Sequence, residues 1–278
     1  MRYAIVNEPI VPLYRSAART SSLEDEVLYG MKVEILETVA DGMVRVRTPY
    51  QYEGIAEISK LTLQEDRIQA WEENKKVWIT GRYVDIQSIP KYQGYQVISL
   101  PRGAVVRFLE PADENGWVKV GLANGRTGYC KESFVADYQE PSMDLTAAKA
   151  NEEEFREAVC RRALSYLGTQ YRWGGKTPLG IDCSGLCSTS YLMNGVVIFR
   201  DAKIKEGFPV KEIAYEEKKK GDLLFFPGHV AMYLGDGRYI HSTGKNGSDG
   251  VVINSLNPGD SDYREDLLKI LSAVGSIF

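Results

Sequence analysis

The chain has 278 residues, of which 44% are hydrophobic and 26% are charged, the composition of an ordinary globular protein with room for two or three domains. Its net charge of −4, without any run of Lys and Arg, argues against nucleic acid as the main partner. No stretch approaches about 18 consecutive apolar residues, so no membrane span is expected.

The N-terminal stretch MRYAIVNEPIVPLYR is not typical of a signal peptide. It has no continuous apolar segment followed by a small-residue cleavage site. We therefore expect a cytoplasmic protein, or a protein of the periplasm or cell envelope if the chain is a mature form. A monomer is expected.

An internal repeat fills the first half of the chain. Residues 27–61 resemble residues 97–135, and the match runs without gaps from Asp41 onward. The matched positions are Gly42 and Gly116, Val44 and Val118, Val46 and Val120, and Gly54 and Gly128. Each copy has short alternating strands separated by Gly, Asp and Asn turns, a pattern typical of small antiparallel barrels.

The repeat predicts two β modules, at residues 1–66 and 67–140, joined near residues 65–76 by a linker with room for one or two helical turns. The spacing of their strands resembles the bacterial SH3 family. Two interpretations stay open for the modules. They are either structural spacers, or they bind cell wall or shape an active-site cleft.

The second half of the chain, residues 141–278, has the order of an α+β domain. A loop at 139–150 precedes an amphipathic helix at 151–168, with Asn151 as N-cap, Glu154 completing a capping box and Gly168 as the stop. The apolar face of this helix is formed by Phe155, Val159, Ala163, Tyr166 and Leu167. A second helix at 183–193, with Leu186, Cys187 and Tyr191 inward, comes before four strands at 222–226, 229–235, 238–242 and 250–254.

The four cysteines are too few and too irregular for a disulfide framework. There is no CxxC pair, and Cys183 and Cys187 lie on one helical face, so zinc binding is not expected. We predict no metal or organic cofactor. Cys130, Cys160 and Cys187 are interpreted as structural residues.

Cys183 differs from the other cysteines because it lies between polar residues in the stretch GIDCSG. The turn before it predicts that Cys183 begins a helix, with Asp182 as N-cap or facing the cleft. A helix N-terminus and a nearby imidazolium both lower the pKa of a thiol, which favours the nucleophilic thiolate. Cys183 is therefore the candidate nucleophile.

The chain has two histidines, His229 and His241, on neighbouring predicted strands. Histidine suits a base that must also act as an acid, and a second histidine can orient the first. The two imidazoles share a face if Asp236 lies near the centre of the turn. A tight two-residue turn that pairs Gly235 with Arg238 would put them on opposite faces, so we expect a longer turn with Gly237 left-handed in a bulge.

Three blocks in order, YLGTQYRWGGKTPLGIDCSGL, GDLLFFPGHVAMYLGDGRYIHS and GVVI, resemble the NlpC/P60 family of cysteine peptidases over residues 150–278. The resemblance implies a papain-like α+β fold behind the two SH3-like β-barrels. It also implies Cys183 as nucleophile, His229 as base, His241 as the orienting third member and Tyr171 as an oxyanion donor beside the backbone N–H of Cys183.

With two SH3-like modules ahead of it, this domain also resembles the γ-D-glutamyl-L-diamino acid endopeptidases. That resemblance implies peptidoglycan stem peptides with a free N-terminal L-alanine as substrates. Asp182 and Ser184 would read the free amine, and Trp173 and Asp201 would line the pocket. The first module would close that end of the cleft through Glu26, Tyr52 and Glu53.

Gln170 and Phe199 stand where this family often has proline, which affects local loop geometry but not the chemistry. Two alternatives remain. One is an amidase of the CHAP type that cuts the sugar–peptide bond, and the other is a catalytically silent wall-binding protein.

Overall fold

The computed structural model describes residues 2–18 and 20–278. They form two compact units, one ending at Tyr138 and the other beginning at Gln139. The first unit holds the repeated modules, and the second holds the predicted nucleophile and both histidines.

The first unit contains two antiparallel sheets, each with seven strands in the described part of the chain. The strands of one are β1 (Arg2–Val6), β2 (Ile10–Tyr14), β3 (Leu23–Leu28), β4 (Lys32–Ala40), β5 (Met43–Arg47), β6 (Glu53–Glu57) and β7 (Leu61–Thr62). Those of the other are β8 (Lys76–Ile79), β9 (Tyr83–Gln87), β10 (Gln96–Pro101), β11 (Val105–Glu110), β12 (Trp117–Gly121), β13 (Thr127–Lys131) and β14 (Val135–Asp137).

The two sheets have the same topology. Their strand orders are β3-β2-β6-β5-β4-β1-β7 and β10-β9-β13-β12-β11-β8-β14. The register also repeats, since Val46 pairs with Gly54 in one sheet and Val120 with Gly128 in the other. The sequence repeat is thus a repeat of structure. The SH3-like identity of the sheets and the three-domain division with bounds at 66 and 140 remain predictions.

The predicted linker carries helix α1 (Glu65–Glu73), whose Trp71 is buried. The two sheets also meet directly, because the Ala123 N–H donates to the Tyr29 hydroxyl at 2.7 Å and the Val105 N–H donates to the Tyr29 carbonyl at 2.8 Å. Gly30 (φ 79°) is needed here, since a Cβ would lie 2.1 Å from the Val105 oxygen.

The second unit is described in full and combines helices with an antiparallel sheet. Its helices are α2 (Thr146–Ala150), α3 (Glu152–Leu164), α4 (Cys183–Leu192) and α5 (Glu265–Leu268). Its strands are β15 (Lys176–Thr177), β16 (Gly180–Ile181), β17 (Lys211–Ile213), β18 (Leu223–Phe226), β19 (His229–Gly235), β20 (Arg238–Thr243), β21 (Gly250–Ser255) and β22 (Ala273–Ser276). Short 3-10 helices lie at Ile58–Lys60, Glu132–Phe134 and Tyr215–Glu217.

The main sheet of the second unit has the order β17-β22-β18-β19-β20-β21. One of its faces packs against α3 and α4 in a core that includes Leu186, Val230, Met232 and Ile240. The opposite face carries a smaller apolar cluster around Phe226, Ala231 and Tyr239. Every residue of α4 is buried, so this helix runs through the interior with its N-terminus at the edge of the core.

Several details of the predicted helices are wrong. Residues 146–150 are helical, not loop, and the Asn151 side chain makes no capping hydrogen bond, because its backbone (φ −135°, ψ 57°) joins α2 to α3. Helix α3 ends at Leu164 and not at Gly168, and Leu167 is 41% exposed. The four predicted strands are present, while β17 and β22, which lie beside them in the sheet, were not predicted.

Candidate active site

Cys183 is the first residue of α4, as the sequence predicts. Asp182 is the N-cap, in extended backbone conformation (φ −91°, ψ 178°), and its Oδ1 accepts the Gly185 N–H at 2.5 Å. This bond satisfies one of the free N–H groups of the first helical turn. Gly185 packs so tightly that a Cβ would lie 2.2 Å from the Gly175 oxygen. The residues around the cysteine therefore build the helix start and its packing.

The Cys183 thiol is buried, with only 5% of the residue exposed. Burial, and then the charge of Asp182, raise its pKa to about 11, against the lowering effects of the Val230 N–H, Arg200 and the Ser184 N–H. The Ser184 N–H in the first turn of α4 does lower the thiol pKa, as expected, but burial has the larger effect and the net shift is upward. Desolvation of a thiolate in an apolar interior outweighs the local dipoles.

The two histidines lie together on one face of the sheet. His229 Nε2 is 2.7 Å from His241 Nδ1. The turn between their strands is nevertheless the tight one, because Gly235 pairs with Arg238 and Asp236 and Gly237 both have positive φ. The register then shifts at Leu234, so that Tyr233 pairs with Tyr239. The bulge lies in strand β19 and not in the turn.

Burial keeps both imidazoles neutral at neutral pH. Burial, then His241, and then Arg264 lower the pKa of His229 to about 3. Burial also lowers the pKa of His241 to about 4, partly opposed by a hydrogen bond to Asn254. His229 directly precedes Val230, whose backbone N–H donates to the Cys183 sulfur. A neutral imidazole keeps a lone pair that can accept a proton, although burial makes both rings weaker bases than an ordinary histidine.

Arg200 is a component of the site that sequence reasoning missed. It is 2% exposed, and it donates from Nη1 to Asp182 Oδ1 at 3.1 Å, from Nη2 to Asp182 Oδ2 at 3.0 Å and from Nη1 to Ser184 Oγ at 2.7 Å. A buried carboxylate requires a cation, and the Arg-Asp dipeptide at 200–201 was the available signal.

Asp182 has no oxygen left for a substrate ammonium group. Besides Arg200 and Gly185, its carboxylate accepts the Gly174 N–H at 2.8 Å and the Ser184 hydroxyl at 3.2 Å. A carboxylate offers about four lone-pair positions, and these are all used. The Asp182 carboxylate is therefore fully engaged with the helix start and with Arg200.

Tyr171 lies close enough to Cys183 for the two groups to interact electrostatically. It forms a bridge with Ile181, and its half-buried hydroxyl has a pKa of about 12, raised first by burial and then by the Cys183 and Asp182 charges. At neutral pH this hydroxyl is protonated, so it is able to donate a hydrogen bond. This is the state that an oxyanion donor requires.

Ser184 and Asp201 both line one narrow pocket. Trp173 is not among the residues that line it. Apolar side chains, among them Phe199, Phe208 and Val230, form most of the wall, and Lys203 and Lys205 also line it. Trp173 is 63% exposed. Among the predicted substrate-binding residues, the structure thus brings Ser184 together with Asp182, through a hydrogen bond, and with Asp201, in this pocket.

The other predicted binding residues belong to the first unit. Glu26 is 3% exposed, Tyr52 is half-buried, and Glu53 Oε1 accepts from Arg47 Nη2 at 2.8 Å. Their role in closing the cleft stays a prediction.

No group of three or more His, Cys, Asp or Glu side chains that could hold a metal ion occurs among the described residues. In the same part of the chain, none of the helices is both long enough and apolar enough to cross a membrane.

A cysteine at the start of a buried helix, packed on an antiparallel sheet that carries a histidine pair, is an arrangement typical of thiol-dependent hydrolases. Residues 168–265 match the sequence model of the NlpC/P60 family. The chain is 42% identical over 277 residues to "Dipeptidyl-peptidase 6" of Lysinibacillus sphaericus, covering 99% of each chain. The chain belongs to the NlpC/P60 family of cysteine peptidases.

One further relative and one solved structure are also similar to the chain. "Gamma-D-glutamyl-L-lysine dipeptidyl-peptidase" of Bacillus cereus is 41% identical over 134 residues, which are 45% of this chain and 37% of the relative. A solved NlpC/P60 family protein from Bacillus cereus has the same fold, with a TM-score of 0.77, 98% coverage of both chains and 21% identity.

Proposed function

We propose that this cysteine peptidase hydrolyses the γ-D-glutamyl-L-diamino acid bond of peptidoglycan stem peptides that carry a free N-terminal L-alanine. The observation that carries the chemistry is Cys183 at the start of α4, with its sulfur on the Val230 N–H beside the His229–His241 pair. The substrate class is supported by the names of the relatives from Lysinibacillus sphaericus and Bacillus cereus.

The reaction begins from a neutral thiol and a neutral imidazole. His229 Nδ1 accepts the proton of Cys183 as the sulfur attacks the γ-carbonyl carbon, and the backbone N–H of Cys183 and the Tyr171 hydroxyl donate to the resulting oxyanion. Collapse of the intermediate breaks the C–N bond, and His229 returns the proton to the departing amine. Water, deprotonated by the same imidazole, then cleaves the thioester and releases L-Ala-γ-D-Glu.

The revised geometry of Asp182 changes how the substrate amine is bound. In the proposal Asp182 and Arg200 hold the helix start, Ser184 contacts the ammonium group, and Asp201 lines the pocket that it shares with Ser184. The small size of this pocket favours the methyl group of alanine over longer side chains. Trp173 would line the entrance of the pocket.

The first unit has a proposed role in limiting substrate length. We assign its two sheets as SH3-like barrels at residues 1–66 and 67–140, ahead of a peptidase domain at 141–278. Glu26, Tyr52 and Glu53 are the residues of the first barrel that would close the amine end of the cleft. Short peptides with a free amine would then be preferred over intact wall.

The test is incubation with L-Ala-γ-D-Glu-L-diamino acid tripeptide and with its N-acetylated form. Release of L-Ala-γ-D-Glu from the free tripeptide, lost in Cys183→Ala and kept in the matched control Cys160→Ala, is the expected result. Equal cleavage of the acetylated peptide would overturn amine recognition. Release of stem peptide from muramic acid would indicate an amidase, and binding to sacculi without product would indicate a silent wall-binding protein.

A further inference from the structure

The hydrogen-bond chain at the histidine pair continues beyond His241. His241 Nε2 lies 2.9 Å from Asn254 Oδ1, and Asn254 Nδ2 donates to the backbone carbonyl of Asp262 at 2.7 Å. Asn254 is on β21, where its neighbour across the strands is Tyr239. It is 7% exposed, so its amide is shielded from competing water.

The backbone carbonyl of Asp262 fixes which group donates in each of these hydrogen bonds, because a carbonyl oxygen can only accept a hydrogen bond. The Asn254 amide must therefore point its NH₂ group toward Asp262 and its oxygen toward His241. The opposite orientation would place two acceptor oxygens 2.7 Å apart. His241 must then donate from Nε2.

The donor-to-acceptor direction at His241 also fixes the direction of the hydrogen bond between the two imidazoles. A neutral His241 that is protonated at Nε2 has its lone pair on Nδ1, so it accepts from Nε2 of His229. A neutral His229 that is protonated at Nε2 has its own lone pair on Nδ1, the remaining ring nitrogen. The opposite tautomer of His241 would force a proton onto His229 Nδ1 and leave the base without a free lone pair.

We propose that Asn254 is a positioning residue that, through the Asp262 carbonyl, sets the tautomers of both histidines so that His229 presents its Nδ1 lone pair to Cys183. The inference rests on the proposed function for its consequence in catalysis, and on the hydrogen-bond directions for the tautomers. The Asp262 carbonyl is held in place because Arg238 binds the carboxylate of the same residue at 3.0 and 2.7 Å.

The charged and titratable groups around the pair are compatible with neutral rings. Arg264 acts on both histidines and disfavours their protonation, Asp266 acts on His241 and favours it, and Asp182 acts on His229 and favours it. The Tyr239 ring lies against His241 with the centroids 5.2 Å apart. Because Arg264 binds Asp266 through two hydrogen bonds, their effects partly offset each other.

The chain has two histidines, so the tautomers can be measured directly by nitrogen NMR of the full-length protein labelled with ¹⁵N-histidine. At about pH 7 the expected spectrum shows two neutral rings, each protonated at Nε2 and unprotonated at Nδ1. A proton on Nδ1 of either ring in the active wild-type protein would overturn the proposal. This measurement needs no substrate, so an inactive protein with the expected tautomers would refute the proposed function and leave the inference standing.

Two variants of Asn254 separate positioning from packing. Asn254→Leu removes the acceptor, and we expect mixed tautomers and a fall in kcat of about 10- to 1000-fold with little change in KM. Asn254→Asp keeps an oxygen toward His241, and in its neutral form it still donates to Asp262, so the tautomers and most of the activity should return.

The control Asn257→Ala changes an exposed amide on the next loop and should behave as wild type. Equal loss in the Leu and Asp variants, with wild-type tautomers in both, would show a packing role and contradict the proposal.

Discussion

His229 and His241 are hydrogen-bonded neighbours, 2.7 Å apart, although a turn of two residues joins their strands. A regular hairpin with this turn would place them on opposite faces of the sheet, because cross-strand partners share a face and adjacent residues alternate. The extra residue Leu234 shifts the pairing by one position and returns His241 to the side of His229. The histidine pair thus depends on a bulge.

The bulge should be sensitive to a side chain at Gly235. This residue has φ 93° and no close neighbour, so Gly235→Ala introduces backbone strain without a collision. We expect the free energy of unfolding to fall by about 1 to 2 kcal/mol, measured by urea denaturation. Gly259→Ala, in open space and without positive φ, is the control and should stay within about 0.5 kcal/mol of wild type. Equal effects would argue against strain at the bulge.

The reactivity of Cys183 should follow a high thiol pKa. Because burial raises this pKa to about 11, the thiolate fraction near neutral pH is small and grows about tenfold for each pH unit. The rate of alkylation by iodoacetamide should therefore rise steadily from about pH 7 to about pH 9, after subtraction of the rate in Cys183→Ala. A rate that is already constant at neutral pH would instead indicate a preformed thiolate–imidazolium pair.

Replacement of Tyr171 should affect catalysis more than binding. The hydroxyl is protonated at neutral pH, and in the proposed mechanism it meets charge only in the tetrahedral intermediate. Tyr171→Phe is expected to lower kcat about 100-fold with KM nearly unchanged. Tyr215→Phe, at a 36% exposed tyrosine in the same unit, should leave both constants unchanged. A rise in KM alone would assign Tyr171 to substrate binding.

Loss of Arg200 should destabilise the second unit strongly. Arg200→Met leaves the buried Asp182 carboxylate without its cation, and removing one partner of a buried pair costs about 3 to 5 kcal/mol. The double variant Arg200→Met/Asp182→Asn should recover part of this loss in a denaturation experiment. The control Lys269→Ala breaks an exposed pair with Glu265 and should cost about 0.5 kcal/mol or less. If Arg200→Met lowers the free energy of unfolding no more than the control Lys269→Ala does, Asp182 does not need its cation.

Acid should destabilise the protein through the two histidines. Their pKa values in the folded protein, about 3 and about 4, lie below the ordinary value of 6.5. Between about pH 4 and pH 6.5 the unfolded chain therefore binds more protons than the folded protein does. The free energy of unfolding is therefore highest above about pH 6.5 and falls as the pH drops toward about 4, by at most about 1.4 kcal/mol per pH unit for each histidine. A double variant, His229→Gln/His241→Gln, should show a shallower decline between pH values of about 7 and 5. Parallel declines would contradict this assignment.

The sequence by itself determined the parts of the protein that depend on local patterns. A capping aspartate before Cys183 defines the start of α4, the spacing of glycines and valines defines the repeat, and two histidines in 278 residues leave few choices for a base. Only the tertiary structure decided the rest, because it depends on groups that are distant along the chain. Pairing between β19 and β20 placed the bulge at Leu234, Arg200 occupied the carboxylate of Asp182, and burial raised the pKa of Cys183 against its helix N-terminus. Register and desolvation are properties of the packed molecule, and a linear motif does not contain them.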